Sequence, residues 1–124
     1  MPYQMSWYRE YIMLIELEGE VTAEDLQKMA DEGFDLVSAA AHKVHAIVDT
    51  SKMSSTPMSL NKNMSSIHQK KHANQGLTVM VMPNTNVIAG FISSTIMQVL
   101  RLEYRLVRSI EEAEATIRRV DPSI

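Results

Sequence analysis

Val44-His45-Ala46-Ile47-Val48-Asp49 decides the reading of this chain. It is a short, nearly continuous apolar run that ends in an acidic residue, the pattern of a strand covered on both faces. On its N-terminal side, Thr22-x-x-Asp25 approximates a capping box. Leu26, Met29, Ala30, Gly33, Val37 and Ala40 then recur at helical spacing, leaving Glu24, Gln27, Lys28, Asp31 and Asp35 for solvent. Gly33 on the apolar face costs roughly 1 kcal/mol of helix propensity, which close packing against a sheet can offset. Upstream of that helix, Tyr3–Tyr8 reads as a first strand, Arg9-Glu10 as a hairpin turn, and Tyr11–Leu17 as a second buried strand closed by Gly19.

On the C-terminal side, residues 50–55 read as a polar loop. Thr56-Pro57 pairs an N-cap residue with proline at the first helical position. Leu60, Met64, Ile67 and Lys71 carry the helix on, and Asn74-Gln75-Gly76 ends it. Leu77–Met82 is the next strand, stopped by Pro83. A helix over 85–100 is apolar nearly all round, and Arg105–Arg108 makes a last short strand. Ser109-x-x-Glu112 is a capping box for a final helix with Ile110, Ala113, Ile117 and Val120 on one stripe and Asp121-Pro122 at its end. Alternating strands and helices of this kind predict an α/β domain. The expected architecture is a single domain over 1–124, with a mainly parallel, mixed five-stranded sheet and four helices.

Composition narrows the function. The 124 residues fit one domain, are 45% hydrophobic and 22% charged, and carry a net charge of −3. That balance argues against a nucleic-acid or anionic-membrane binder, whose footprint is basic. The absence of Cys excludes disulfides, thiol catalysis and thiolate metal sites. No apolar run approaches the roughly 18 residues of a membrane span, and Met1–Trp7 lacks the basic and apolar regions of a signal peptide. A cytoplasmic protein is expected.

The two-strand start, the Asp49-Thr50-Ser51 at the end of the next strand and the Ser109-Ile110-Glu111-Glu112-Ala113 start of the final helix together resemble the STAS domains. These are the fold of bacterial anti-sigma-factor antagonists and, more distantly, of the CRAL-TRIO lipid carriers. The resemblance covers nearly the whole chain as a pattern, through short motifs. It implies a non-enzymatic regulatory module that binds a protein partner of the anti-sigma-factor or kinase type through the loop after a strand-end Asp, here Asp49, and the following helix. It also implies a Ser/Thr phosphoswitch, with Ser51 near the Asp. Where the family has Asp-Ser-Ser-Gly at the helix start, this chain has Pro57-Met58-Ser59-Leu60, so the family's phosphoserine aligns with Met58 and only Ser59 matches.

The partner and phosphorylation candidates are therefore Asp49, Ser51, Ser54, Ser55 and Ser59. The simpler reading of that stretch is a polar loop and an N-cap; the sharper one is a phosphate at a helix N-terminus, paired with Lys52. Ten Met residues suggest either adaptable core packing or a plastic surface. On the second reading Met80, Met82, Phe91 and Met97 line an apolar-ligand or lipid pocket beside helix 85–100, or a homodimer face. His68 and His72 have two-His metal spacing, with His42 and His45 as a further pair. However, position 69 is Gln, and Lys70 and Lys71 next to His72 repel a cation, so no metal site is expected. No Gly-x-Ser-x-Gly elbow surrounds any Ser. Neither catalysis nor a cofactor is expected.

Overall fold

The computed structural model describes residues 3–19, 23–53, 74–82 and 104–122. Five strands form one sheet in the order β1-β2-β3-β4-β5: β1 Tyr3–Arg9, β2 Ile12–Gly19, β3 Val44–Met53, β4 Gln75–Val81 and β5 Tyr104–Val107. The β1–β2 pair is antiparallel and the other three pairs are parallel, giving the mixed sheet of an α/β domain. Among the described residues there are two helices, α1 Ala23–Ala39 and α2 Ile110–Val120. The expected helices after Thr56-Pro57 and over 85–100 lie outside the described residues, as does the Thr22 cap. Neither described helix is long and apolar enough to cross a membrane.

Strand alternation sends side chains to two faces, and a helix packs on each. On one face Ile12, Ile47, Leu77, Val79, Val81 and Val107 pack with Ala113 and Ile117 of α2, flanked by Tyr8, Leu14 and Ile110. On the other, Met13, Ile15, Leu17, Val48 and Met80 are buried on the side of α1, which buries Met29 and Val37. Both faces of β3 and β4 are thus covered, which is why those strands read as continuous apolar runs. Each fully buried Val, Leu or Ile contributes roughly 1.5–3 kcal/mol. The final helix starts as expected: Ser109 Oγ accepts the Glu112 N–H at 3.1 Å, while the Glu112 carboxylate accepts the N–H of Arg108, one residue before the cap.

β4 ends at Val81 rather than Met82 and β5 spans Tyr104–Val107 rather than 105–108, and three further boundaries differ in ways that strand registers explain. The hairpin turns at Glu10-Tyr11, so Arg9 belongs to β1. Gln75 and Gly76, expected to end a helix, begin β4. Residues 50–53, expected to form a loop, continue β3, because Glu18 pairs with Lys52 and Gly19 with Met53. Gly19 holds φ at +69°, a left-handed conformation that glycine adopts without a Cβ penalty, and so ends β2.

Candidate functional site: the ends of the central strands

Each register shift marks a bulge, where one strand spends an extra residue and a backbone N–H leaves the regular ladder. Between Glu16↔Asp49 and Glu18↔Lys52, β2 advances two residues while β3 advances three. The extra length falls at Thr50-Ser51, at the C-terminal end of β3. There Asp49 Oδ1 accepts the Ser51 N–H at 2.9 Å, and Thr50 Oγ1 donates to the Val81 carbonyl at 2.7 Å, tying the bulge to the end of β4. Asp49 is only 9% exposed, whereas Ser51 and Lys52 are exposed. Beside this corner, the Met82 N–H donates to the Val107 carbonyl at 2.8 Å, joining β4 to β5. The corner is therefore fixed from within by a buried carboxylate, and it displays a hydroxyl and an ammonium outward. In open α/β sheets this end of the strands is where ligands and partners bind.

A second bulge lies at the opposite end. Between Val44↔Gln75 and Ala46↔Thr78 the extra residue is on β4, at Gly76-Leu77. The Leu77 N–H donates to His45 Nδ1 at 2.9 Å, and His45 Nε2 lies 2.9 Å from Asp121 Oδ2. Because Nδ1 accepts a backbone proton, the ring carries its own proton on Nε2 and donates it to the Asp121 carboxylate. The ring is 2% exposed. A Cβ at position 76 would fall on the ring, 2.7 Å from Cε1 and 2.9 Å from the Val44 carbonyl oxygen, so only glycine fits there. This arrangement joins β3, β4 and the C-cap of α2, away from the end where α/β sheets bind ligands.

The third bulge, past Trp7 in β1, brings Tyr8 and Arg9 together on the α2 side. Glu114 accepts from Tyr8 Oη at 3.2 Å, Arg9 Nε at 3.2 Å and an Arg118 nitrogen at 3.0 Å. The Arg118 hydrogen bond holds the Glu114 carboxyl below its ordinary 4.5, helped by Tyr8 and Arg9 and opposed by burial. Burial and then the Glu114 bond push the Tyr8 phenol up. A shallow cleft of about 210 Å³ lies beside this cluster, lined by Arg9, Glu10, Tyr11, Ile12 and Arg118.

The sequence candidates fare unevenly. Asp49 and Ser51 are brought into direct contact, whereas Ser54, Ser55 and Ser59 lie outside the described residues. Met80 is buried among the strands and Met82 is half-buried just past β4, while Phe91 and Met97 lie outside the described residues. His42 and His45 do not converge: His42 meets the Tyr11 ring edge-on at 4.2 Å, and His45 is committed to Leu77 and Asp121. His68 and His72 lie outside the described residues. Among the described residues no group of three or more His, Asp or Glu could hold a metal ion. Sequence reasoning missed the His45–Asp121 pair and the Glu114 cluster. The one available signal was His45 itself, a polar residue at a strand position whose neighbours predicted burial.

Compared with protein-family models, with curated proteins and with solved structures, the chain matches none.

Proposed function

We propose that this chain is a non-enzymatic protein-recognition module, and that its working surface is the corner at the C-terminal end of β3. The observation that carries the reading is the Asp49-supported bulge, which holds exposed Ser51 and Lys52 at a fixed position beside the end of β4. A buried acid that accepts a backbone N–H rigidifies the corner before any partner arrives, which lowers the entropic cost of recognition. Lys52 offers an exposed ammonium, opposite Glu18 in the register, to an acidic group of a partner. Phosphorylation of Ser51 would add nearly two negative charges beside that lysine and make the corner strongly acidic. The resemblance to anti-sigma-factor antagonists supports the same reading, since it maps their strand-end acid onto Asp49.

The test is affinity capture from the source organism with the intact chain as bait. Lys52→Glu removes the exposed ammonium and Ser51→Asp adds an acid beside it, so both should lose the captured protein while keeping the native circular dichroism spectrum. Capture unchanged in both variants would refute the assignment.

A further inference from the structure

At the start of β3, His45 makes two hydrogen bonds of opposite sense. Its Nδ1 accepts the Leu77 N–H at 2.9 Å, and its Nε2 donates to Asp121 Oδ2 at 2.9 Å. A neutral imidazole satisfies both, because it has one N–H and one ring nitrogen with a lone pair. The charged ring has two N–H groups and no acceptor, so neither of its orientations can accept from Leu77. A single proton therefore decides whether His45 holds the β4 bulge.

The surroundings decide which bond gives way. Asp121, at the C-cap of α2, faces Nε2 and can hold a charged ring as an ion pair. β4 offers the ring no acid: its contacts are the Leu77 N–H and Gly76, against which the ring lies. β2 offers buried Ile12 and the Tyr11 carbonyl, which accepts the His45 backbone N–H at 2.9 Å. Arg9, beyond Ile12 in the same register row, and Arg118, one turn before Asp121, both donate to Glu114. Lys43, two residues before the ring, is exposed. A second proton is thus accommodated on the Asp121 side, and its cost falls on Leu77.

Histidine is the side chain that gains a proton in mild acid. We propose that His45 is a proton-operated latch: its second proton releases the bulge at Gly76-Leu77 and the first residues of β4, while α2 stays held through Asp121. The Leu77 N–H is buried, so once it loses its acceptor the start of β4 must open to bring it to water. Below the bulge, the Val44 N–H bond to the Asn74 carbonyl at 2.7 Å is what still ties that segment to β3. The latch lies at the opposite end of the strands from the Ser51–Lys52 corner, so either reading can fail without the other.

Heteronuclear NMR of the intact protein through an acid titration tests it, following the His45 ring nitrogens together with amide exchange at Leu77 and at buried Val79. At neutral pH, Nδ1 should be the unprotonated nitrogen. As the ring gains its second proton, exchange at Leu77 should quicken by at least about tenfold relative to Val79, the loss of one hydrogen bond, before the chain unfolds as a whole. His45→Asn places an amide oxygen near the position of Nδ1 without a titrating group, so its ratio of Leu77 to Val79 exchange should stay constant. A ring that stays neutral until global unfolding, or a charged ring with Leu77 still protected, would overturn the proposal. So would an acid step that persists in His45→Asn. Should that variant not fold, the native chain decides alone, through its ring charge and its Leu77 exchange.

Discussion

His45 and Asp121, 76 residues apart in sequence, meet at 2.9 Å and join the buried start of β3 to the C-cap of α2. The contact works only because the other ring nitrogen is already engaged by the Leu77 N–H, which fixes the proton on Nε2. Removing the ring would leave a bulge N–H without an acceptor as well as a cavity. His45→Ala should therefore destabilise the fold by about 3 kcal/mol, and Asp121→Ala by about 1–3 kcal/mol. Chemical denaturation of both single variants and the double variant should give a sum larger than the double value, because the residues share one network. Strict additivity would show that the pair is not energetically coupled.

Two glycines should respond in opposite senses. Gly76→Ala drives a methyl group into the His45 ring and the Val44 carbonyl, so it should cost several kcal/mol, about as much as overpacking a tight core. At Gly33 the nearest described atom to an added Cβ is Met5 Cε at 3.8 Å, an ordinary contact. Gly33→Ala should then stabilise by about 0.5–1 kcal/mol through helix propensity. Thermal melts of the two variants read both signs.

Acid and base should unfold the chain through different residues. The Glu114 carboxyl is held below 4.5 in the folded state, chiefly by Arg118, so its contribution is present above that value and is lost as pH falls below it. Glu114→Gln should flatten the acid limb of the stability profile. Tyr3 behaves the other way. Burial, then its hydrogen bond to Glu32, raise its phenol from 10.0 to about 12, so its contribution holds below 10 and is lost between 10 and about 12. Tyr3→Phe should remove a step at about 12 from the ultraviolet tyrosinate curve.

The sequence made the central strands legible because burial on both faces leaves an apolar run that needs no partner to be recognised. Residues 77–81 and 44–49 lie in the strands expected of them, and Ser109 caps the last helix as its spacing predicts. The extension of β3 through Lys52 was not legible. Thr50, Ser51 and Lys52 are polar, and what carries the strand through them is the pairing of Lys52 with Glu18 and of Met53 with Gly19, distant in sequence. The bulges were hidden for the same reason, since a bulge is a mismatch between two strands and neither strand records it alone. Asp49 and Ser51 could be singled out as residues, but the hydrogen bond that joins them could not.

The central claim is that the Ser51–Lys52 corner recognises a protein, and site-specific photo-crosslinking tests it most directly. A photoreactive residue would replace Ser51 in one preparation and Ser38, exposed on α1, in another. Both would be irradiated in cells of the source organism. The account predicts a discrete crosslinked protein from position 51, absent from position 38 and lost when Lys52→Glu is added. No adduct at 51, or the same adducts from both positions, would contradict it.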